Sequence, residues 1–278
     1  MKYYIVSDIH SFLSELLTGL KKNDFNPKED TLVIDGDLFD RGDLSYDLLL
    51  YVKSLPHKVL IRGNHEYLLI DLLHKDEPED YDFSNGTVFT VYQLYKARHP
   101  HTKLFTSAYE YANAWCDSPY GAMAMDGDFQ VFNFIMRGQL SKRMWKTMTR
   151  DILKSGICEW IQGDEWVNYL EIKDYIITHS FIPIEVQDWR KDATPSQWKK
   201  AMWGCPYKQF DAGYFDEEIK KGKTLVCGHW YSNDFYKHYD RLNGVYEIYK
   251  RDNLIAIDSC TPLSHKINVL VIDDEEGD

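Results

Sequence analysis

The sequence predicts a layered α/β protein, and three observations carry that expectation. Short apolar runs recur along the chain, most of them stop at a cluster of polar residues, and amphipathic helical patterns separate the early ones. The runs are rich in Val, Ile and Tyr and read as buried strands: Tyr3 to Val6, Leu32 to Ile34, Lys58 to Ile61, Tyr175 to Thr178, Thr224 to Cys227, Leu254 to Ile257 and Ile267 to Ile272. Between the first two, Leu13, Leu16, Leu17 and Leu20 recur at i, i+3, i+4 and i+7, and Leu48, Leu49, Val52 and Leu55 follow much the same spacing before the third. Strands that alternate with helices bury both faces of a sheet.

The chain of 278 residues is long enough for one large domain, here taken as residues 1–278. Residues 75–155 break the strand-and-loop rhythm and read as a mainly helical insertion or cap. Its aromatic residues, Tyr81, Phe83, Phe89, Tyr92, Tyr95, Trp115, Phe129, Phe132, Phe134 and Trp145, are expected to form a private core, with substrate stacking as the other reading. The acidic stretch Asp273 to Asp278 reads as a solvated tail.

Composition narrows the function classes. A formal net charge of -12 gives no basic face for a nucleic acid polymer or an anionic membrane. No apolar stretch is long enough to span a bilayer, and Met1-Lys2 leads straight into a short strand rather than a signal peptide. The cysteines Cys116, Cys158, Cys205, Cys227 and Cys260 form no CxxC pair and are odd in number, so reduced thiols and a cytoplasmic location are expected.

The chemistry gathers at strand ends. Five runs are followed by Asp8-Ile9-His10, Gly36-Asp37 through Asp40-Arg41-Gly42, Gly63-Asn64-His65-Glu66, Thr178-His179 and Gly228-His229. Ligands of open α/β sheets collect beyond the carboxyl ends of the strands, so these loops can converge on one site. Taken singly the motifs are weak: Asp8 could cap a helix beginning near Ser11, Gly-Asn-His-Glu could be a turn before a helix, and a lone histidine is more often a satisfied core residue. Together they point to metal. Carboxylate with imidazole suits manganese, iron or zinc, and the absence of a cysteine cluster argues against a closed structural zinc site. Asp8, His10, Asp37, Asn64, His179 and His229 are more ligands than one open ion needs, which implies two ions with Asp37 as the natural bridge. No role is assigned to His57, His74, His99, His101, His238 or His265.

These motifs, with the late strand Ile257-Asp258-Ser259, resemble the phosphoprotein phosphatases within the calcineurin-like metallophosphoesterases. The resemblance spans roughly residues 1–73 and 156–272 and implies a two-sheet β-sandwich flanked by helices. It implies a first metal held by Asp8, His10 and Asp37, and a second held by Asp37, Asn64, His179 and His229. It also implies that His65 is the general acid, oriented by Asp40, and that Arg41 and Arg62 grip phosphate. Hydrolysis by a hydroxide bridging the two ions, manganese being the favoured metal, would need no nucleophilic side chain. The sequence departs from the family pattern at Ser11, where glycine is usual, and at Ser180-Phe181 after His179. The family often carries a further arginine between the last two histidine ligands, near a Trp-containing segment that Met202-Trp203-Gly204 resembles, and Arg190 is the only arginine in that interval.

The implied substrate is a phosphorylated protein or a small phosphoester or nucleotide. Asp40 and Glu66 favour a phosphoserine/phosphothreonine protein phosphatase, whereas Gly228-His229-Trp230 resembles the matching segment of diadenosine tetraphosphate hydrolases. A noncatalytic phospho-ligand binding module is the third reading, disfavoured because every ligand position is filled.

Overall fold

The computed structural model describes residues 1–101, 137–138 and 140–273. Its described strands form two five-stranded sheets. The first runs β10(Leu270–Asp273)-β1(Lys2–Ser7)-β2(Thr31–Asp35)-β3(Lys58–Ile61)-β4(Trp166–Val167), parallel except for the antiparallel edge β10. The second runs β5(Leu170–Ile172)-β6(Tyr175–Ile177)-β7(Thr224–Cys227)-β9(Leu254–Ala256)-β8(Tyr249–Arg251), with three parallel strands between antiparallel edges. The expected two-sheet sandwich is present.

Side-chain alternation along each strand divides the interior into three layers, since successive residues point to opposite faces. Ile5, Val33 and Ile61 of the first sheet meet Ile177, Val226, Ile255 and Ile257 of the second in a dry layer between the sheets. Their neighbours Tyr4, Val6, Leu32, Ile34 and Leu60 face outward into a helical layer. On the far side Ile176, Leu225, Cys227, Leu254 and Ala256 pack against Phe181, Trp189, Trp198, Phe215 and Phe235. Strands buried on both faces must be apolar at every position, which is why they read as continuous runs rather than alternating ones.

Seven of the helices are α1(Leu13–Lys22), α2(Ser45–Ser54), α3(Asn64–Leu73), α4(Asp80–Asn85), α5(Thr87–Arg98), α6(Lys142–Leu153) and α7(Ile157–Gln162). Helix α1 presents Leu16 and Leu20 to the first sheet, as its leucine spacing predicts. The described part of 75–155 behaves differently from expectation. Phe83, Val88, Val91, Leu94, Tyr95, Trp145, Met148 and Ile152 join the same cluster as Leu16, Leu48, Leu69 and the outer face of β1–β3. Helices α4 to α6 therefore extend the main core instead of enclosing a private one, because their apolar faces are completed by helix α3 and not by each other alone. Trp145 on α6, fully buried, also donates its indole N–H to the carbonyl of Lys75 at 3.1 Å, which ties the segment to the end of α3. Trp115, Phe129, Phe132 and Phe134 and the tail beyond 273 lie outside the described residues.

The short strands β4, β5 and β8 had no counterpart among the expected runs. Two or three residues carry no periodicity, and Tyr249–Arg251 is polar at two of its three positions.

Candidate metal centre

Backbone pairing continues past the strand ends and draws the motif loops together. Asp8 N–H donates to the carbonyl of Gly36, His10 N–H to that of Asp37 and Ser11 N–H to that of Leu38, so the loop after β1 lies in register on the loop after β2. Gly228 N–H donates to the carbonyl of His179, and His229 N–H to a side-chain oxygen of Asp8 at 2.9 Å, which joins the two sheets at the site.

The backbone is held in an uncommon shape here. Asp8, His10, Ser11, Asp37, Asp40, Arg41 and His229 all have positive φ, between 49° and 79°. Left-handed conformations cost non-glycine residues energy and persist where surrounding structure enforces them, commonly at functional sites. Ser11, where the resembled family has glycine, keeps that shape at φ 64°, and its hydroxyl is 2.8 Å from that of Ser45.

Two of the glycines are required by close approach. A Cβ at Gly63 would lie 2.2 Å from Oδ1 of Asp37, and one at Gly228 would lie 2.4 Å from Oδ2 of Asp8. Helix α3 starts beyond Gly63, and Glu66 Oε2 accepts the N–H groups of Gly63 (2.7 Å) and Asp37 (3.0 Å) while Oε1 accepts that of Leu38 (2.9 Å). Buried Glu66 thus clips the second motif to the third. Its position three residues after Gly63 is the spacing of a capping carboxylate, a signal present in the sequence. Asp8 caps no helix: α1 begins at Leu13 without a side-chain cap.

Among the described residues, buried and half-buried ligand atoms form two groups that share Asp37. One contains His10, Asp37 and His65, the other Asp37, His179 and His229, and within each group the atoms lie within 4.8 Å of one another. Oδ2 of Asp37 is 3.8 Å from Nε2 of both His10 and His65, and its Oδ1 is 3.3 Å from Nε2 of His179. Oδ1 of Asp8 is 3.9 Å from His10 Nε2.

The histidine tautomers suit metal. His10 Nδ1 donates to the carbonyl of Phe39, and His179 Nδ1 to that of Asp35, both at 2.9 Å. A carbonyl only accepts, so Nδ1 carries a proton in each ring and Nε2 points inward, offering a lone pair whenever the ring is neutral, the usual bracing of a metal-ligating imidazole. At His179 that lone pair meets Oδ1 of Asn64 at 2.9 Å beside Oδ1 of Asp37. With that ring neutral, three acceptors converge in a buried space that calls for a positive charge, supplied by a metal ion or by a proton on Nε2, so the residues fit a cation. Burial, joined by neighbouring positive charge, lowers the pKa of His10 and brings that of His229 down to about 3, so both rings are neutral as ligation requires. Burial opposes charge at His179 as well, yet Asp37 and Asp8 raise its pKa well above the usual value, which expresses how strongly the pocket attracts a positive charge.

A family model described as calcineurin-like phosphoesterase matches residues 1–233. The chain belongs to that family.

Calcineurin-like phosphoesterases are a family of metal-dependent hydrolases that work with a pair of divalent ions, and the two ligand groups of this chain could hold metal. A symmetrical bis(5'-nucleosyl)-tetraphosphatase of Yersinia enterocolitica is 40% identical over 84 residues, 29% of this chain and 29% of that protein. A counterpart from Yersinia pestis matches to the same extent, so the chain spans under a third of the length of these curated relatives. Among solved structures, a cold-active protein tyrosine phosphatase aligns over 98% of this chain and 73% of its own, at 17% identity and TM-score 0.48. A protein serine/threonine phosphatase from Saccharomyces cerevisiae aligns over 100% and 81%, at 12% identity and TM-score 0.42.

The remaining expected residues divide. His65 stands beside Asp37, with Nδ1 2.6 Å from Oδ2 of Asp40. Burial opposes its protonation, but Asp37 and Asp40 outweigh that and raise its pKa. The Arg41 guanidinium faces Tyr231, Asp37, Asp258 and Asp8, which hold its charge against burial. Arg62 is not brought into the cluster: its Nε and Nη2 donate to the carbonyls of Ile161 (3.1 Å) and Gly163 (3.0 Å), at the end of α7. Arg190 is also elsewhere, paired with Glu218 and Glu171 and lying over Trp189. Two residues at the site have no role assigned from the sequence, Tyr231 beside Arg41 and Trp203 of the Met202-Trp203-Gly204 segment, which is 43% exposed and edge-on to His229 with centroids 5.8 Å apart. Among the described residues no helix is long and apolar enough to cross a membrane.

Proposed function

We propose that the chain hydrolyses phosphomonoesters, with phosphoserine or phosphothreonine in a protein as the substrate. The observation that carries this reading is the His65–Asp40 pair set against the carboxylate shared by both ligand groups. In this assignment Asp8, His10 and Asp37 hold one divalent ion, and Asp37, Asn64, His179 and His229 hold the other. When bound, such ions lower the pKa of water to near neutrality and offset charge on the phosphoryl oxygens.

The chain's own groups do the rest. Asp40 keeps the His65 ring oriented through Nδ1, so the second proton sits on Nε2, facing Asp37. As the phosphorus–oxygen bond breaks, that proton passes to the leaving oxygen, which an alkoxide needs because it is a poor leaving group. Arg41, in its carboxylate-lined setting, pairs with a phosphoryl oxygen; Arg62 braces the end of α7 instead. Such an acid is valuable for serine and threonine esters and much less so for leaving groups that depart readily as anions.

A second reading, cleavage of dinucleoside polyphosphates, is favoured by the exposed Trp203 beside His229, a surface suited to stacking a base, and by the curated match over 84 residues. Purified manganese-loaded protein offered phosphoserine and phosphothreonine peptides or diadenosine tetraphosphate, with and without chelator, separates the two. Chelator-sensitive phosphate release from the peptides is expected; faster cleavage of the dinucleotide would transfer the assignment, and no metal-dependent turnover of either would leave a binding module.

A further inference from the structure

Asp40 is fully buried, has φ 79° and lies outside both ligand groups, so something must hold its carboxylate in place. The hydrogen bonds to its side chain come from His65 and from two threonines of α5. Thr90 Oγ1 donates to Oδ1 at 2.7 Å and accepts the N–H of Asp40 itself at 3.0 Å; Thr87 Oγ1 donates to Oδ2 at 2.8 Å, the oxygen that also faces His65 Nδ1. One turn further along, Gln93 accepts the N–H of Ser45 and donates to the carbonyl of Gly42, both at 2.8 Å. Residues 87, 90 and 93 recur every third position and so share one face of the helix. That face is spread over the loop from Asp40 to Ser45.

We infer that Thr87 and Thr90 are positioning residues for the leaving-group acid: the α5 threonines fix the plane of the Asp40 carboxylate and, through it, the aim of His65. The inference rests on the role given to His65 above. Its physical basis is that a buried carboxylate deprived of donors seeks new ones, since leaving its oxygens unsatisfied costs more than the bonds themselves contribute. Without the threonines the Asp40 side chain is free to rotate toward the loop N–H groups, and the 2.6 Å contact that orients the imidazole is lost. Both threonines are themselves within 1% of complete burial, so water does not replace them.

The test compares kcat and KM for phenyl phosphate, whose leaving group needs a proton, with 4-nitrophenyl phosphate, whose leaving group does not. Manganese-loaded wild type, His65→Asn, Asp40→Asn, Thr87→Val, Thr90→Val and Thr90→Ser are measured, with metal content and melting temperature as controls. Expected are a kcat loss of about tenfold or more on phenyl phosphate for each valine variant, a much smaller loss on 4-nitrophenyl phosphate, little change in KM, and recovery in Thr90→Ser. In an Asp40→Asn background the valine changes should add nothing, because the pathway they act through is already gone. Equal losses on both substrates, or a further loss in the Asp40→Asn background, overturn the inference while a selective His65→Asn defect leaves the acid standing. If His65→Asn itself lacks leaving-group selectivity, the acid assignment and the inference fall together. Should Thr90→Val not fold, Thr87→Val and Thr90→Ser still decide.

Discussion

Asp37 turns a different oxygen to each ligand group, whereas His65 is proposed as the acid, and the two roles should separate on substitution. Asp37→Asn is expected to abolish activity and to lower bound metal, as measured by elemental analysis, because the amide is uncharged and puts a non-ligating nitrogen in place of one oxygen. His65→Asn is expected to retain close to the full metal content while kcat for poor leaving groups falls by about a hundredfold, the lower range for a lost general acid. A His65→Asn protein that came out metal-free would make His65 a ligand, a role its 3.8 Å distance from Asp37 Oδ2 and its place beside His10 and Asp37 also permit. At this scale the motif residues were legible because ligand chemistry limits them to Asp, Asn and His. The threonines on α5 were not, since Thr87 and Thr90 look like any helical threonines until the fold sets them on Asp40.

Elements show where local sequence is a poor guide to position. Arg62 and Arg190 have the charge to bind phosphate, yet each is consumed in bracing one element on another: Arg62 on the carbonyls ending α7, Arg190 between β5 and the short helix Asp216–Ile219. An arginine's sequence neighbours do not reveal which acceptors lie within reach of its long side chain. The second bracing has a measurable pH dependence. Hydrogen bonds from Arg190 hold the Glu218 carboxyl down at about 2, below the roughly 4.3 of an unfolded glutamate. A folded-state pKa below the unfolded one stabilises the protein above the unfolded value, and that contribution is lost as pH falls through the folded one. The melting temperature of Glu218→Gln should therefore trail wild type near neutrality and converge on it between about pH 4.5 and 2. A deficit that stays constant across that window would mean the pair acts through packing rather than charge.

For the whole molecule, one electrostatic cost is the concentration of acid where the two sheets end. Asp8, Asp35, Asp37 and Asp258 are all at most 2% exposed, and burial with mutual repulsion pushes the carboxyls of Asp35 and Asp258 well above the usual range. Such a cluster is costly without compensating charge, and divalent ions supply it. Chelation is expected to lower the melting temperature by about 5 to 10 °C and manganese to restore it, the shift that ligand at roughly a hundred times its Kd gives a domain of this size. Melting unchanged by chelator, with metal content shown to fall, would remove the metals from the stability of the fold. The described helices of 75–155 belong to this scale as well: their aromatics looked like a private core because composition reveals that a residue is buried but not against what.

The sequence by itself determined the strand-and-loop order, the central buried strands and the aspartate and histidines that the two ligand groups bring together, because burial on both faces demands continuous apolar runs and metal chemistry admits few side chains. Only the tertiary structure decided where Arg62 and Arg190 point, that α5 holds Asp40, and that α4 to α6 complete the main core. Those outcomes depend on distances between residues dozens of positions apart, such as Asp40 and Thr90, and a one-dimensional pattern carries no measure of distance across the fold.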